Sequence, residues 1–446
     1  MTTLVWFRDD LRLADHAALH AAASSGDDVV ALYVLDEVSA GTRPLGAATK
    51  WWLHESLTSL ANSLAALGVP LILRRGSAEH VLPSVASEST AQRVFWNRRY
   101  GDERHIDERV EAQLAAAGTQ AKSFMGNLLF EPWMINTNDG RPFRVYTPFW
   151  RACLAAPAPA EPLPAPAKLR PAAQQPVSDA LADWELQPTH PNWATEFSER
   201  WVVGEAEALR RLDEFLAGNV ADYSDKRNFP AVKSTSELSP YLRWGEISPR
   251  TVWHTALRTG KEVGVFLSEV GWREFAWHTL HANSQLHLRG LNPNFDRFEW
   301  RQPDPEELSA WQRGQTGFTM VDAGMRELWR TGFMHNRVRM VAASFLTKNL
   351  LIDWRVGEAW FWDTLVDADA ASNPFSWQWV AGCGADAAPY FRIFNPETQQ
   401  QKFDPTGAYA ERWAPDSILQ PPIIDLRASR ARALAAYDKM RNSPAV

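Results

Sequence analysis

Two rhythms of apolar and polar residues divide the chain. Over the first 120 residues, short apolar runs ("TLVWF", "DVVALYVLD", "VPLILRRG", "RVFWN") are separated by segments whose apolar positions recur every three or four residues. The runs read as buried strands. The segments between them, "DHAALHAAASSG", "ATKWWLHESLTSLANSLAALG", Ser77 to Ser87 and Glu103 to Ala117, read as helices. Strand–helix alternation predicts a doubly wound, Rossmann-like parallel sheet with right-handed crossovers. No G-x-G-x-x-G follows the first strand, so the dinucleotide fingerprint is missing. A Pro/Ala-rich stretch from Leu154 to Pro176 has the composition of a stiff extended connector. After about Trp201 the pattern is almost wholly helical, and "FLSEVGWREFAWHTLHAN", "FTMVDAGMRELWRTG" and a long helix from about Met334 to Trp354 are examples. The predicted organisation is an α/β domain over 1–130, a linker over 131–200 and an all-α domain over 201–446.

Composition changes this picture in few places. Apolar (45%) and charged (22%) contents are those of an ordinary globular protein. Tryptophan is the outlier at 22 residues, pointing to large cores, stacking surfaces or redox chemistry. Two cysteines, Cys153 and Cys383, support neither a disulfide framework nor a Cys-rich metal site. No leader-like segment or run near ~18 apolar residues is present, so a cytoplasmic protein without a membrane span is expected. Net charge is −7, but residues 226–348 carry 17 Lys+Arg against 12 Asp+Glu. A basic zone on an acidic chain suits a phosphate-contacting face and is also what a mixed solvated surface looks like.

Four stretches carry unusual polar chemistry. In "FLSEVGWREFAW", Glu269, Trp272 and Arg273 fall on one helical stripe, a carboxylate beside an indole that could grip a planar ring. In "TGFMHNRVRM", Asn336, Arg339, Met340 and Ala343 form a stripe beside an apolar one, and His335 is a candidate cap or core residue. In "DADAASNPFSWQWVAG", Asp367 and Asp369 precede Asn373, Trp377 and Trp379. The acids could bind a metal, though no His or further carboxylate at ligand spacing supports that and none is expected, or equally hold ribose hydroxyls. The segment Tyr223 to Pro240 contains "STS", readable as a phosphate cradle or as an ordinary helix cap.

Together these stretches resemble the photolyase/cryptochrome family. The resemblance covers nearly the whole chain, starting at "LVWFRDDLRLADHAAL" and strongest through "GFMHNRVRM", "LLIDWRVGEAWFW" and "SWQWVAGCGADAAPYFRIFNPETQ". It implies an α/β antenna domain, a linker and a helical domain holding one FAD. By the same resemblance Tyr223, Thr235, Ser236, Glu237, Leu238, Ser239, Arg273, Asn336, Arg339, Asp367, Asp369 and Asn373 contact FAD, with Asn373 facing flavin N5. Glu269, Trp272, Asn336, Met340 and Trp379 match the pocket for a flipped pyrimidine dimer. Arg227, Arg337 and Gln399 match DNA contacts, with Glu269, Trp272 and Asn336 also touching the DNA. Trp377, Trp354 and Trp300 match an electron-transfer chain.

Within the family, Asn336 stands where the (6-4) photolyases carry His, and Asn373 where plant cryptochromes carry Asp. Both point to a cyclobutane pyrimidine dimer photolyase acting as a monomer on damaged DNA, with a cryptochrome-type blue-light receptor as the alternative. The "WQWVAGCGADAAPYF" version is closer to the plant-cryptochrome-related bacterial class. The resemblance implies methenyltetrahydrofolate as antenna; the family's folate motif departs here, reading Asp102-Glu103 instead of Asn-Glu, which leaves a deazaflavin or no antenna as the alternatives.

Overall fold

The computed structural model describes residues 1–387 and 390–442. Ala388 and Pro389, inside the "GADAAPYF" motif, and the last four residues of the expected helical domain lie outside the described residues.

Five parallel strands, β1 (Thr2–Phe7), β2 (Asp28–Leu35), β3 (Leu71–Arg75), β4 (Arg93–Asn97) and β5 (Gln120–Phe124), form a sheet in the order β3-β2-β1-β4-β5. The fifth strand was not foreseen. "QAKSF" is an edge strand of half-exposed, mixed polarity, so no apolar run marks it. A two-residue β6 (Arg170–Pro171), inside the Pro/Ala-rich stretch, pairs with the start of β2.

Side-chain alternation along β1 sets the layers. Val5 and Phe7 point into a core shared with Trp52, Trp201, Tyr241, Trp244 and Phe275, whereas Leu4 and Trp6 enter a smaller core under the helices Ala78–Glu88 and Arg104–Ala116. The larger core thus runs without a break from the sheet into the helical half. Buried polar ties reinforce it. Arg12 donates to the carbonyls of Gly245 and Gly126, and Arg250 forks the carboxylate of Asp15. The "RDDLRLADH" run therefore serves to dock the helices on the sheet.

Two sequence expectations need correction. The stretch 131–200 is more than a linker. It contains the helix Tyr146–Ala155, whose Tyr146 and Phe149 pack on Trp272 and Phe275, and the short helix Thr195–Arg200. The helix expected from Met334 to Trp354 runs only Asn336–Ser344, continues as a π-turn over Phe345–Asn349 and stops. Leu351 has φ of +57°, which ends the helical path, and Trp354 opens a new helix, Trp354–Thr364, capped by Asp353. No described helix is long and apolar enough to cross a membrane.

Candidate active site

Three helices and one loop bring the singled-out residues together. The helices Gly264–Ala282 and Asn336–Ser344 both pack against Ser372–Ala381. His335 caps the second. Its Nδ1 accepts from the Arg337 backbone N–H at 3.2 Å, and burial pushes its pKa down to about 4, so the ring stays neutral and able to accept. The cap reading of His335 therefore holds, and it sets where Asn336 and Arg337 leave the turn.

The "STS" loop is not a capping box. The short helix Ser239–Arg243 has Leu238 at its cap position with no side-chain cap bond, and Ser234 Oγ turns back to the Lys226 carbonyl at 3.0 Å. Glu237 adopts φ of +52° and spends its carboxylate on Arg200 (2.6 Å) and Arg211 (2.8 Å). Among the described residues, the backbone N–H groups of Thr235, Ser236, Glu237 and Leu238 have no hydrogen-bond acceptor. A run of free N–H groups around a left-handed residue is an anion nest, and it fits the phosphates of a dinucleotide.

Beside it, Arg339 forks Asp367 (3.1 and 2.8 Å), which also accepts from Ser239 Oγ at 2.6 Å. Asp369 accepts from the N–H groups of Ala371 (2.8 Å) and Ser372 (2.5 Å), starting the helix that carries Asn373. Asn373 donates Nδ2 to the Glu358 carbonyl (3.0 Å) and carboxylate (2.9 Å), which fixes the amide and leaves Oδ1 without a partner among the described residues. Glu358 is in turn forked by Arg43 of the α/β half at 2.7 and 2.9 Å. Neither Glu358 nor Arg43 was singled out from sequence. Arg43 lies 315 positions from its partner, a separation no local pattern encodes. No cluster of metal-ligating side chains occurs among the described residues.

Trp272 stacks on Tyr146 at 3.8 Å between centroids and 11° between planes, a partner the sequence did not suggest. Trp379 is half-buried beside Phe394 and Arg392, and among the described residues its buried Nε1 has no acceptor. Glu269 forms an ion pair with Arg227. Tyr223 packs between Phe215 and Phe266. Asn336 is exposed and Met340 half-buried. Arg337 lies over Phe403 and donates to Asn228 at 2.6 Å, and Gln399 Oε1 is buried without a donor. Arg273 departs from its stripe, donating to the carbonyls of Asn127 (3.0 Å) and Leu242 (3.4 Å) at the seam with the α/β half.

Residues 3–167 match the DNA photolyase family, and residues 266–421 match the FAD binding domain of DNA photolyase. The chain is 45% identical to a deoxyribodipyrimidine photo-lyase of Agrobacterium fabrum, over 99% of its own length and 98% of that protein. It belongs to the DNA photolyase family. A solved bacterial class III photolyase from Agrobacterium tumefaciens superposes with a TM-score of 0.94 at 44% identity, covering 99% of this chain and 98% of that one. Cryptochrome-1 of Arabidopsis thaliana is 36% identical over 98% of this chain but only 69% of its own length.

Within this photolyase fold the indoles expected to relay electrons lie on separate segments. Trp377 and Trp354 are buried and Trp300 is half-buried. Trp377 has Phe361 (4.9 Å) and Trp311 (6.3 Å) as ring neighbours. Gly357, one turn after Trp354, lies so close over the Trp377 ring that a Cβ would come within 2.1 Å of it. Trp354 thus rides on the helix that covers Trp377, although no ring contact joins the two among the described residues.

Proposed function

We propose that the protein is a deoxyribodipyrimidine photo-lyase, splitting cyclobutane pyrimidine dimers in DNA under blue light. Reduced FAD, which the helical half would hold, would supply light-driven electron donation to the dimer. The chain's own residues hold, orient and shield. The free N–H groups of Thr235 to Leu238, with Ser239 at the helix start, hold the phosphates. Asp367, oriented by Arg339, and Asp369 take ribose and ring edges, and Tyr223 and Asn336 flank them. Asn373, whose amide does not readily give up a proton, would face flavin N5 with Oδ1, its Nδ2 being held by Glu358. Trp272 and Trp379 are the aromatic walls for a flipped dimer, Met340 fills the cleft between its rings, and Glu269 accepts from a pyrimidine edge. Arg227, Arg337 and Gln399 contact the DNA strand. Trp377, Trp354 and Trp300 return electrons from the surface to the flavin. The α/β part over 1–130 and the helical part over 201–446 act together as a monomer.

The observation that carries this reading is Asn373, whose amide is locked by Glu358 with its oxygen free. The test is direct. Reduced, FAD-loaded protein and blue light should restore the ultraviolet absorbance of an oligonucleotide with one thymine dimer. A dimer left intact refutes the reading, and flavin photoreduction without repair would mark a cryptochrome-type receptor.

We also propose an antenna pigment, methenyltetrahydrofolate or a deazaflavin. Glu103 of the Asp102-Glu103 motif lines a cavity where strand order reverses between β1 and β4, together with Arg8, Arg99, Trp277 and Arg273. Several of its polar atoms lack partners, including Arg8 Nε, Arg99 Nε and Trp277 Nε1, which suits a polar ligand. Its volume is about 120 Å³, below the roughly 300–1,000 Å³ of a small-molecule site, so neither pigment fits there as the side chains stand.

A further inference from the structure

One buried cation has no part in the repair chemistry set out above. Lys348 lies in the π-turn Phe345–Asn349 and is 0% exposed, and no carboxylate pairs with it among the described residues. An unpaired ammonium in the core is costly, and burial pushes its pKa well below the ordinary lysine value. A methionine of similar length would fill the same space without that cost. The π-turn that carries Lys348 is itself a departure from regular helix of the kind that recurs at functional sites.

The contacts of Lys348 converge beside the lesion pocket. Its Nζ donates to the Ala381 carbonyl at 2.5 Å, at the C-terminal end of the helix Ser372–Ala381, where a cation meets the negative end of the helix dipole. The same Nζ lies 3.3 Å from the centre of the Phe391 ring. Tyr437, from the helix Leu426–Asn442, stacks on that ring at 4.5 Å and 11°. Gly382, with φ of +95°, ends the helix and leaves the space, since a Cβ there would sit 3.7 Å from Nζ and 3.8 Å from Phe391. A parallel tie runs from the Phe394 N–H to Ser344 Oγ at 3.0 Å. The segment held in this way, 390–394, supplies the Arg392 and Phe394 that flank Trp379. The titratable group facing Lys348 is the Cys383 thiol, whose pKa burial pushes up to about 12, so it gives no counter-charge at neutral pH. Arg355 and Asp353, beyond the thiol, pair with each other at 2.9 Å.

We propose that Lys348 is a positioning residue for the lesion pocket. Its ammonium ties the end of the helix that carries Trp379 to the segment 390–394 beside the indole, and so holds the wall on which a flipped dimer stacks. Without the tie, the helix end and the segment are free to part, and the indole loses its fixed orientation. That the wall receives a dimer rests on the repair reading; that Lys348 holds the wall does not.

The test uses the full, FAD-loaded chain and two variants. Lys348→Met loses donor and charge, and Lys348→Gln keeps a donor and loses the charge. In both, amide hydrogen exchange followed by mass spectrometry should quicken by about tenfold or more over 380–394 and stay unchanged over the helix Gly264–Ala282. The thermal midpoint of Lys348→Met should hold or rise, because a buried unpaired charge is gone. Its affinity for dimer-containing DNA should fall roughly three- to tenfold, a part of what one stacking wall contributes, with undamaged DNA changed by no more than about twofold. In the unsubstituted protein the preference for the dimer is full while the amine is protonated, so it should decline from about pH 7 to about pH 9.5, and Lys348→Met should lose that decline. Unchanged exchange over 380–394 in both variants overturns the proposal, as do parallel pH profiles, or equal losses on both DNAs with a lowered thermal midpoint, the mark of a scaffold residue. Quickened exchange in a protein that has no preference for dimer DNA even unsubstituted refutes the repair reading and upholds the tie.

Discussion

Trp379 offers the sharpest test of the lesion pocket. Its indole is half-buried, with Phe394 at 6.5 Å on one side and Arg392 5.6 Å from the ring, and its buried N–H has no acceptor among the described residues. Two separable terms follow from that geometry. The ring provides a stacking wall, worth about 1–3 kcal/mol per base. The N–H gains an acceptor only when a ligand carbonyl arrives, worth about 1 kcal/mol. Trp379→Phe keeps the first and removes the second, so affinity for dimer-containing DNA should fall roughly fivefold. Trp379→Ala removes both and should weaken it by roughly 30- to 1,000-fold. Undamaged DNA, which is held through phosphate contacts, should respond by no more than about twofold. FAD content should not change, because none of the groups expected to hold the cofactor bonds to Trp379. Fluorescence anisotropy with matched damaged and undamaged oligonucleotides, together with flavin absorbance, reads all of these. Equal losses on both oligonucleotides, or loss of FAD, would mean that the indole is part of the scaffold and the pocket assignment is wrong.

Arg227→Gln should lower affinity for damaged and undamaged DNA alike and reduce the slope of log K against log salt by about one, whereas Glu269→Gln should reduce only the preference for the dimer; equal effects of the two on both DNAs would refute the division of labour within that ion pair. Glu358→Gln keeps a carbonyl for Asn373 but breaks the fork to Arg43, so photoreduction kinetics should change while DNA affinity stays within about twofold, as for distant independent sites. Trp354→Phe should slow photoreduction without abolishing repair by chemically pre-reduced protein; an unchanged rate would mean another indole feeds Trp377, such as Trp311 at 6.3 Å. Glu246 is buried at the seam, accepting from Ser56 and Trp52, and burial pushes its pKa up to about 8. The folded protein therefore holds a proton that the unfolded chain releases near pH 4.5, so stability is full below that pH and declines up to pH 8, by at most about 1.4 kcal/mol per unit. Glu246→Gln should flatten that decline in urea titrations at pH 5 and pH 8.

The sequence by itself determined most of what is periodic. Four of the five main strands, the helices between them and the long helical run after Trp201 were legible, because burial on one face imposes a period of two or of 3.6. The candidate residues of "YSDKRNFPAVKSTSELSP", "GFMHNRVRM" and "DADAASNPFSWQWVAG" were legible as polar groups too dense for packing alone. The strand Gln120–Phe124 was not, since an edge strand needs no apolar run. The break at Leu351 was not legible either, because a π-turn and one left-handed residue leave no trace in the pattern of apolar positions. Tertiary structure alone decided the pairings. Glu269 meets Arg227, Trp272 meets Tyr146, Arg273 faces the seam, and Asn373 is oriented through Glu358 by an arginine from the other half of the chain. It also decided that the buried Lys348 meets the Ala381 carbonyl and the Phe391 ring. Local pattern records which face of an element is buried. Which distant group supplies the charge or ring that completes a site depends on how the chain closes on itself, and that is set by packing across hundreds of residues.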